Sequence, residues 1–352
     1  MSAQELSAQE LTPMDQDLHA LTLRELLAMS MRPREFLLAP WFKEGQSALL
    51  WAPSGVGKTF LSLTIALAVA GGGEFLGWHS PRSRKVLVID GEMHLEDLKD
   101  RCASLLNSVE GIDRNAAGKN LTILARQAQH PDAPFPDLAE PEGQEEVMRR
   151  IASERYALVI LDNFSTLATV EDENAAHAMN PVLQFLWKFK QAECACILVH
   201  HSGKGGDRYR GSSKLETTFE AILGLRKLDD SPFDEPTGAR FHMKWDKYRD
   251  QRGTAMQERT VSLVSGEDRR LRWDSASRYD PDLLRLVSAW KSCRYDNQKS
   301  LAHALGKSTG WVSQMKGEAI RQELITLRDW KECQELARES VEDEEYDAHN
   351  DF

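Results

Sequence analysis

Short, uninterrupted apolar runs recur through the first two-thirds of the chain, and stretches with helical spacing lie between most of them. Segments 48–52, 85–90, 121–125, 157–162 and 195–200 have the length and continuity of strands buried on both faces. Segments 60–70, 95–106, 144–155 and 181–191 repeat their apolar positions every three or four residues, as helices do. Strands and helices in this alternation predict a parallel sheet covered on both sides. After Phe219 the pattern changes to successive β segments at 221–225, 240–247, 259–264 and 271–273, which reads as a late β meander.

The ends of the chain read differently. Residues 1–20 repeat Ser-Ala-Gln-Glu-Leu at Ser2 and Ser7 and are expected to be a disordered tail, followed by a short helix at 21–29. A lead-in follows from Pro33 to Gly45, in which Pro40-Trp41-Phe42 is expected to pack on the core. The main α/β domain is expected to span 21–275. A polar break at 274–281 precedes three helical segments, 283–290, 298–305 and 309–324, with Gly306 in the second turn. That spacing predicts a small helix-turn-helix or winged-helix domain over 281–331. Basic residues outnumber acidic ones there, whereas 332–352 is strongly acidic and is expected to be a disordered tail.

The stretch Ala48-Leu-Leu-Trp-Ala-Pro-Ser-Gly-Val-Gly-Lys-Thr59 gives the α/β pattern its chemistry. Strand, glycine turn and helix, with Gly-Lys-Thr opening the helix, is the arrangement of a phosphate-binding P-loop. Pro53, Ser54, Gly55, Val56, Gly57, Lys58, Thr59 and Phe60 are the candidate nucleotide-binding residues. The glycines let backbone N–H groups turn inward, and the helix N-terminus adds partial positive charge. Lys58 is expected to reach the β- and γ-phosphates, and the Thr59 hydroxyl to hold Mg²⁺. The first glycine of the usual motif is replaced by Ala52. A P-loop with a parallel sheet and a late meander is a RecA-like layout.

Other candidates sit at strand ends. Asp162 closes the fourth apolar run, where a carboxylate helps to hold Mg²⁺. Glu92, in Asp90-Gly-Glu-Met, is a candidate base for the attacking water, with Asp90 as its competitor. His200, in His-His-Ser-Gly-Lys-Gly, is a candidate contact to the γ-phosphate. Adjacent histidines point apart and no third ligand is spaced nearby, so zinc is not expected. Lys204, Arg208, Arg210 and Lys214 stand among glycines and serines, as in a loop that follows a nucleic-acid backbone. In the C-terminal block, Ser308, Thr309, Ser313, Gln314 and Lys316 are the candidate DNA contacts.

Composition narrows the picture only slightly. A net charge of −11 across 352 residues argues against a uniformly basic nucleic-acid coat. Hydrophobic content of 41% and charged content of 28% are ordinary for a globular protein. No apolar run reaches membrane-spanning length, and the polar N-terminus lacks the form of a signal or transit peptide. The five cysteines form no CxxC pair, and Cys194 and Cys196 are expected to be small core residues. These features lead to an expectation of a cytoplasmic protein with no membrane partner.

Several of these elements occur together in one known group. Pro-Ser-Gly-Val-Gly-Lys-Thr59, Asp90-Gly-Glu92, Ile-Leu-Asp162, Asp172-Glu-Asn-Ala175, His200-His-Ser-Gly-Lys-Gly, Arg210-Gly-Ser-Ser213 and Lys247-Tyr-Arg249 resemble the RepA-type hexameric replicative helicases of plasmids, relatives of the DnaB-like helicases. The likeness runs from Pro33 to Trp273. It implies a RecA-like AAA-type ATPase assembled as a homo-oligomeric ring, using ATP and Mg²⁺ at each subunit interface. Lys58, Thr59, Glu92, Asp162 and His200 would act from one subunit. Arg210 and Arg249, with Lys247, would be candidates for reaching a neighbour's nucleotide. DNA would pass along Lys204, Arg208, Arg210 and Lys214. Outside that likeness, the acidic tail ending in Asp351-Phe352 reads as a solvating segment that keeps DNA off basic surfaces, and its tip resembles the end with which single-stranded-DNA-binding proteins recruit replication partners. The implied function is a DNA helicase or translocase in replication of a plasmid, phage or mobile element. The alternatives are a KaiC-like or RadA-like regulatory or loader ATPase without unwinding, and an ATP-controlled DNA-binding initiator. The C-terminal helix-turn-helix is an addition to the RepA pattern.

Overall fold

The computed structural model describes residues 20–170, 180–203, 217–228, 238–249, 256–266, 268, 270–277, 280–322 and 324–350. The chain divides into two units, Met1–Glu35 and Phe36–Phe352. The described part of the first contains α1 (Leu23–Ala28), started by a capping box between Thr22 and Glu25.

The second unit opens with a small hairpin, β1 (Phe36–Leu38) and β2 (Phe42–Lys43). Next come β3 (Ser47–Ala52), α2 (Lys58–Gly71) and a second hairpin, β4 (Gly73–Phe75) and β5 (Trp78–Ser80). The alternation continues with β6 (Val86–Asp90), α3 (Leu95–Leu105), α4 (Arg114–Asn120), β7 (Leu121–Ala125) and α5 (Pro141–Glu154). It ends with β8 (Leu158–Asp162), α6 (Phe164–Leu167), α7 (Asn180–Gln191) and β9 (Ala195–His201). The meander is β10 (Ala221–Arg226), β11 (Ala239–Tyr248), β12 (Arg259–Ser265) and β13 (Leu271–Ser277).

These strands form one nine-stranded sheet in the order β13-β12-β11-β10-β3-β9-β8-β6-β7. Strands β3, β6, β7, β8, β9 and β10 run parallel, and the meander adds antiparallel strands at one edge. This is the α/β core with a late meander that the apolar pattern predicts. Period-2 alternation sorts its side chains between two cores. Leu50, Val88, Ile160, Ile197 and Val199 face α2, together with Trp41, Phe42, Trp78 and Trp245. Leu49, Trp51, Ile89, Leu161 and Leu198 face the other way, toward α5 and α7, and Cys194 and Cys196 are buried among them. Trp41 and Phe42 therefore pack as expected. The two hairpins and the short α4 and α6 are too brief to show in the apolar pattern.

The C-terminal part is α8 (Pro281–Lys291), α9 (Gln298–Leu305), α10 (Thr309–Arg321) and α11 (Leu327–Asn350). Asn297 and Ser308 cap α9 and α10, and Gly306 ends α9 at φ +66°. Leu286, Leu301, Val312 and Ala319 form its core with Trp290 and Trp330. The two indoles stack at 4.1 Å, and Trp290 Nε1 donates to the Trp330 carbonyl at 2.9 Å. Helix α11 runs through residue 332, where the acidic tail was expected to begin, and on to Asn350. Trp330, Cys333 and Ala337, spaced at helical intervals, pack that helix on the others, a signal hidden by the acidic residues between them.

Candidate nucleotide site

Parallel pairing brings the C-terminal ends of β3, β6, β8 and β9 to one edge of the sheet. Ala52 lies beside His201, and Asp90 beside Asp162. The loop leaving β3 turns into α2 through Gly55 (φ +76°) and Gly57 (φ +119°). At Gly57 a Cβ would also sit 2.6 Å from that of Ala239 on β11, so the position excludes other residues twice over. Gly57 opens α2 without a side-chain cap, and the first helical turn carries no acid. Ser54 and Gly55 are exposed, while Val56 and Lys58 are buried. A helix N-terminus left uncapped, with neighbouring N–H groups and a lysine, is a donor set suited to a phosphate chain.

Lys58 lies back over this loop. Its Nζ donates to the carbonyls of Ala52 (3.1 Å) and Pro53 (3.0 Å) and lies 3.1 Å from His201 Nδ1. Burial holds its pKa below the ordinary lysine range, opposed by the charges of Asp162 and then Glu92. Asp162 is buried at 4% exposure and accepts from Ser62 Oγ at 3.1 Å and from the Thr59 hydroxyl. Thr59 and Ser62 are one helical turn apart on α2, which aims both hydroxyls at the end of β8. Burial, and secondarily the charge of Asp90, pushes the Asp162 carboxyl up to about 6; the two hydroxyls and Lys58 act against that rise. Thr59 and Asp162 would hold Mg²⁺ here, with Ser62 behind them.

Asp90 is also buried, and its Oδ1 accepts the backbone N–H groups of Glu92 (3.2 Å) and Met93 (2.8 Å). Burial raises its pKa against those two bonds. Asp90 is thus committed to shaping the turn, and the exposed carboxylate beyond the turn is Glu92. Glu92 Oε2 accepts from Asn163 Nδ2 at 2.5 Å. Gly91 allows this close approach, since a Cβ there would stand 2.3 Å from Thr166 Oγ1.

Among the described candidates, Lys58, Thr59, Asp162 and Glu92 gather at this edge. His200 does not face Lys58. It is fully buried with its ring edge-on to Phe164 at 5.0 Å, and the histidine beside Lys58 is His201. Successive strand residues face opposite ways, so this choice follows from the register of Ala52 with His201. Phe60 stacks under the Arg101 guanidinium at 4.6 Å. Lys247 lies beside Ile222 in the β10–β11 pair. Arg249 donates to the Thr217 carbonyl at 2.6 Å and lies 3.6 Å from Glu220, which also binds Ser47 at the start of β3. Ser47 and the P-loop are at opposite ends of β3, about 17 Å apart at strand rise. Lys204, Arg208, Arg210 and Lys214 lie outside the described residues, as do Asp172 to Ala175 and Asp351-Phe352. Ser62, His201 and Asn163 are site residues that the motifs did not single out. Helical spacing from Thr59, strand alternation and adjacency to Asp162 were the available signals.

In the C-terminal part, Ser308, Thr309, Ser313 and Gln314 are exposed, and Ser308 Oγ accepts the Trp311 N–H at 3.1 Å as a cap. Lys316 is half-buried with Nζ 4.8 Å from the Trp330 ring.

The sheet order, the P-loop at the end of β3 and the buried acid at the end of β8 define a P-loop ATPase of RecA-like layout. The AAA domain family model matches residues 12–207, more than half of the chain, and the chain belongs to that family. Among solved structures, a KaiC-like protein from the hyperthermophilic archaeon Pyrococcus horikoshii OT3 is similar over 68% of this chain and 93% of its own, at 16% identity and a TM-score of 0.45. Among the described residues, no helix is long and apolar enough to cross a membrane.

Proposed function

We propose that this AAA-family ATPase works as an oligomer that hydrolyses ATP at the seams between subunits and moves along DNA, as a helicase or translocase in replication of a plasmid, phage or other mobile element. The observation that carries the reading is the opposed placement of its charges. Lys58, Asp162 and Glu92 are at one end of the sheet, and Arg249 is held beside Glu220 and the start of β3 at the other. Arg249 is too far from its own P-loop to serve it, so its use in catalysis requires a second copy. An arginine supplied in that way is worth roughly 10³–10⁵ in rate.

The residues divide the work by position. The P-loop N–H groups and Lys58 bind the phosphates, and Lys58 exchanges its loop carbonyls for phosphate oxygens. Thr59 and Asp162 would hold Mg²⁺, which would supply positive charge against the phosphates, and Glu92 accepts the proton of the attacking water. His201, bonded to Lys58, is placed to respond when the lysine changes partner. The exposed polar face of α10 is a candidate duplex contact, and the basic segment 204–214 is assigned to single-strand contact.

A strand-displacement assay with parallel ATPase measurement tests the reading. Single strands are expected to stimulate hydrolysis, with unwinding of a tailed duplex. Hydrolysis without displacement would replace it with a switch-like ATPase. Tight duplex-site binding that survives Lys58→Ala would replace it with an initiator.

A further inference from the structure

Glu92 is exposed, on a turn, and long enough to adopt many rotamers; such a side chain is a poor base unless something fixes its direction. The group that touches it is buried and rigid. Asn163 is 2% exposed, and its carbonyl accepts from Thr166 N (3.2 Å), Leu167 N (3.1 Å) and Thr166 Oγ1 (3.1 Å). Its amide Nδ2 meets Glu92 Oε2 at 2.5 Å. The pairing of Asp90 with Asp162 sets both backbones, and Gly91 N donates to the Asp162 carbonyl at 2.9 Å.

Two observations separate this contact from ordinary structural use of an asparagine. Asn163 precedes α6 at the N-cap position, where asparagine normally caps with its side chain, yet its side chain makes no capping bond. Its Oδ1 is buried with no hydrogen-bond partner, an arrangement that costs stability. A carboxylate accepts but does not donate, so the amide nitrogen must face Glu92 and leave the oxygen unserved. The amide is thus oriented for Glu92 at the expense of its own satisfaction.

We infer that Asn163 is the positioning residue for Glu92, holding Oε2 so that Oε1 is presented to the attacking water. The inference rests on the ATPase reading above. In the step it serves, the water oxygen bonds to the γ-phosphorus, the bond from that phosphorus to the β–γ bridging oxygen breaks, and the water proton passes to Glu92. ADP and phosphate leave.

The test compares wild type, Asn163→Ala, Asn163→Asp and Glu92→Gln as full chains. The expected result is a fall in kcat of about tenfold or more in Asn163→Ala and Asn163→Asp. Affinity for a non-hydrolysable ATP analogue should stay within about threefold of wild type. Adding Asn163→Ala to Glu92→Gln should produce no further loss. In the nucleotide-free protein, the side-chain amide NMR signal that disappears in Asn163→Asp should shift in Glu92→Gln. Unchanged or increased kcat, analogue affinity falling in step with kcat, or an amide signal insensitive to Glu92 would each overturn the assignment. A wild type that binds the analogue without hydrolysing ATP would instead sink the ATPase reading, while the amide experiment still reports on the contact.

Discussion

The edge of the α/β sheet and the C-terminal helices are built on opposite principles. At the sheet edge, charged and polar groups are buried together: Lys58, Ser62, Asp90, Asp162 and Asn163 are all below 9% exposure. In the C-terminal part the interior is apolar, centred on the Trp290–Trp330 stack, and Ser308, Thr309, Ser313 and Gln314 are exposed. Among the described residues of the C-terminal helices, no polar or charged residue is buried. Burying charge opposes folding, so a cluster of it marks chemistry. An apolar interior with a polar exterior is what any stable helical bundle requires, and it marks no chemistry of its own.

Substitutions can break this contrast in order of size. Lys58→Ala is expected to lower ATP turnover by roughly 10³-fold, with melting temperature held or raised because an unfavourably buried ammonium is lost. Phosphate release and calorimetry on the same sample check both halves. Trp330→Ala should have the reverse profile. Removing one face of the stack costs about 3–5 kcal/mol locally, so hydrogen exchange should report opening of α8–α11 while basal ATPase persists.

Asp162→Asn sharpens the comparison through pH. The carboxyl is raised in the folded protein to about 6 from 3.8. The native state therefore favours the protonated form, and stability present below about pH 4 is lost as pH rises through about 6. With chelator and without nucleotide, Asp162→Asn should gain on wild type across that interval and stay ahead by about 1–3 kcal/mol at pH 7, while losing activity. Denaturant titrations at pH 4, 5, 6 and 7 give the difference curve; a constant gap across that range would count against it. The smallest effect belongs to the C-terminal surface. Gln314→Ala should weaken duplex binding by about 1 kcal/mol without changing basal turnover, whereas Lys316→Ala should act mainly on stability, since its ammonium lies over Trp330. Fluorescence anisotropy against duplex DNA, paired with thermal melts, separates the two.

The same contrast explains what could be read from the sequence. Five apolar runs and the glycine loop were enough for the sheet, because a parallel strand must be apolar on both faces. The grouping of Lys58, Thr59 and Asp162 at one end of the sheet was legible because motif spacing and strand ends place them together. His201 was obscured because two adjacent histidines at a strand end are distinguished only by register, which depends on the pairing of β3 with β9. Asn163 carries no motif, and its contact to Glu92 exists only once Asp90 and Asp162 pair. The extent of α11 was hidden because charge density in 332–352 outweighed the spacing of Trp330, Cys333 and Ala337.

Hydrolysis of ATP by the buried cluster around Lys58 and Asp162 is the expectation on which the proposed function depends. Phosphate release by wild type, Lys58→Ala and Glu92→Gln, with retained nucleotide measured on the same samples, tests it most directly. Turnover should occur in wild type and fall by roughly 10³-fold in both variants, with Glu92→Gln alone of the two still holding nucleotide. Equal turnover in all three, or a wild type that neither binds nor cleaves ATP, would contradict it.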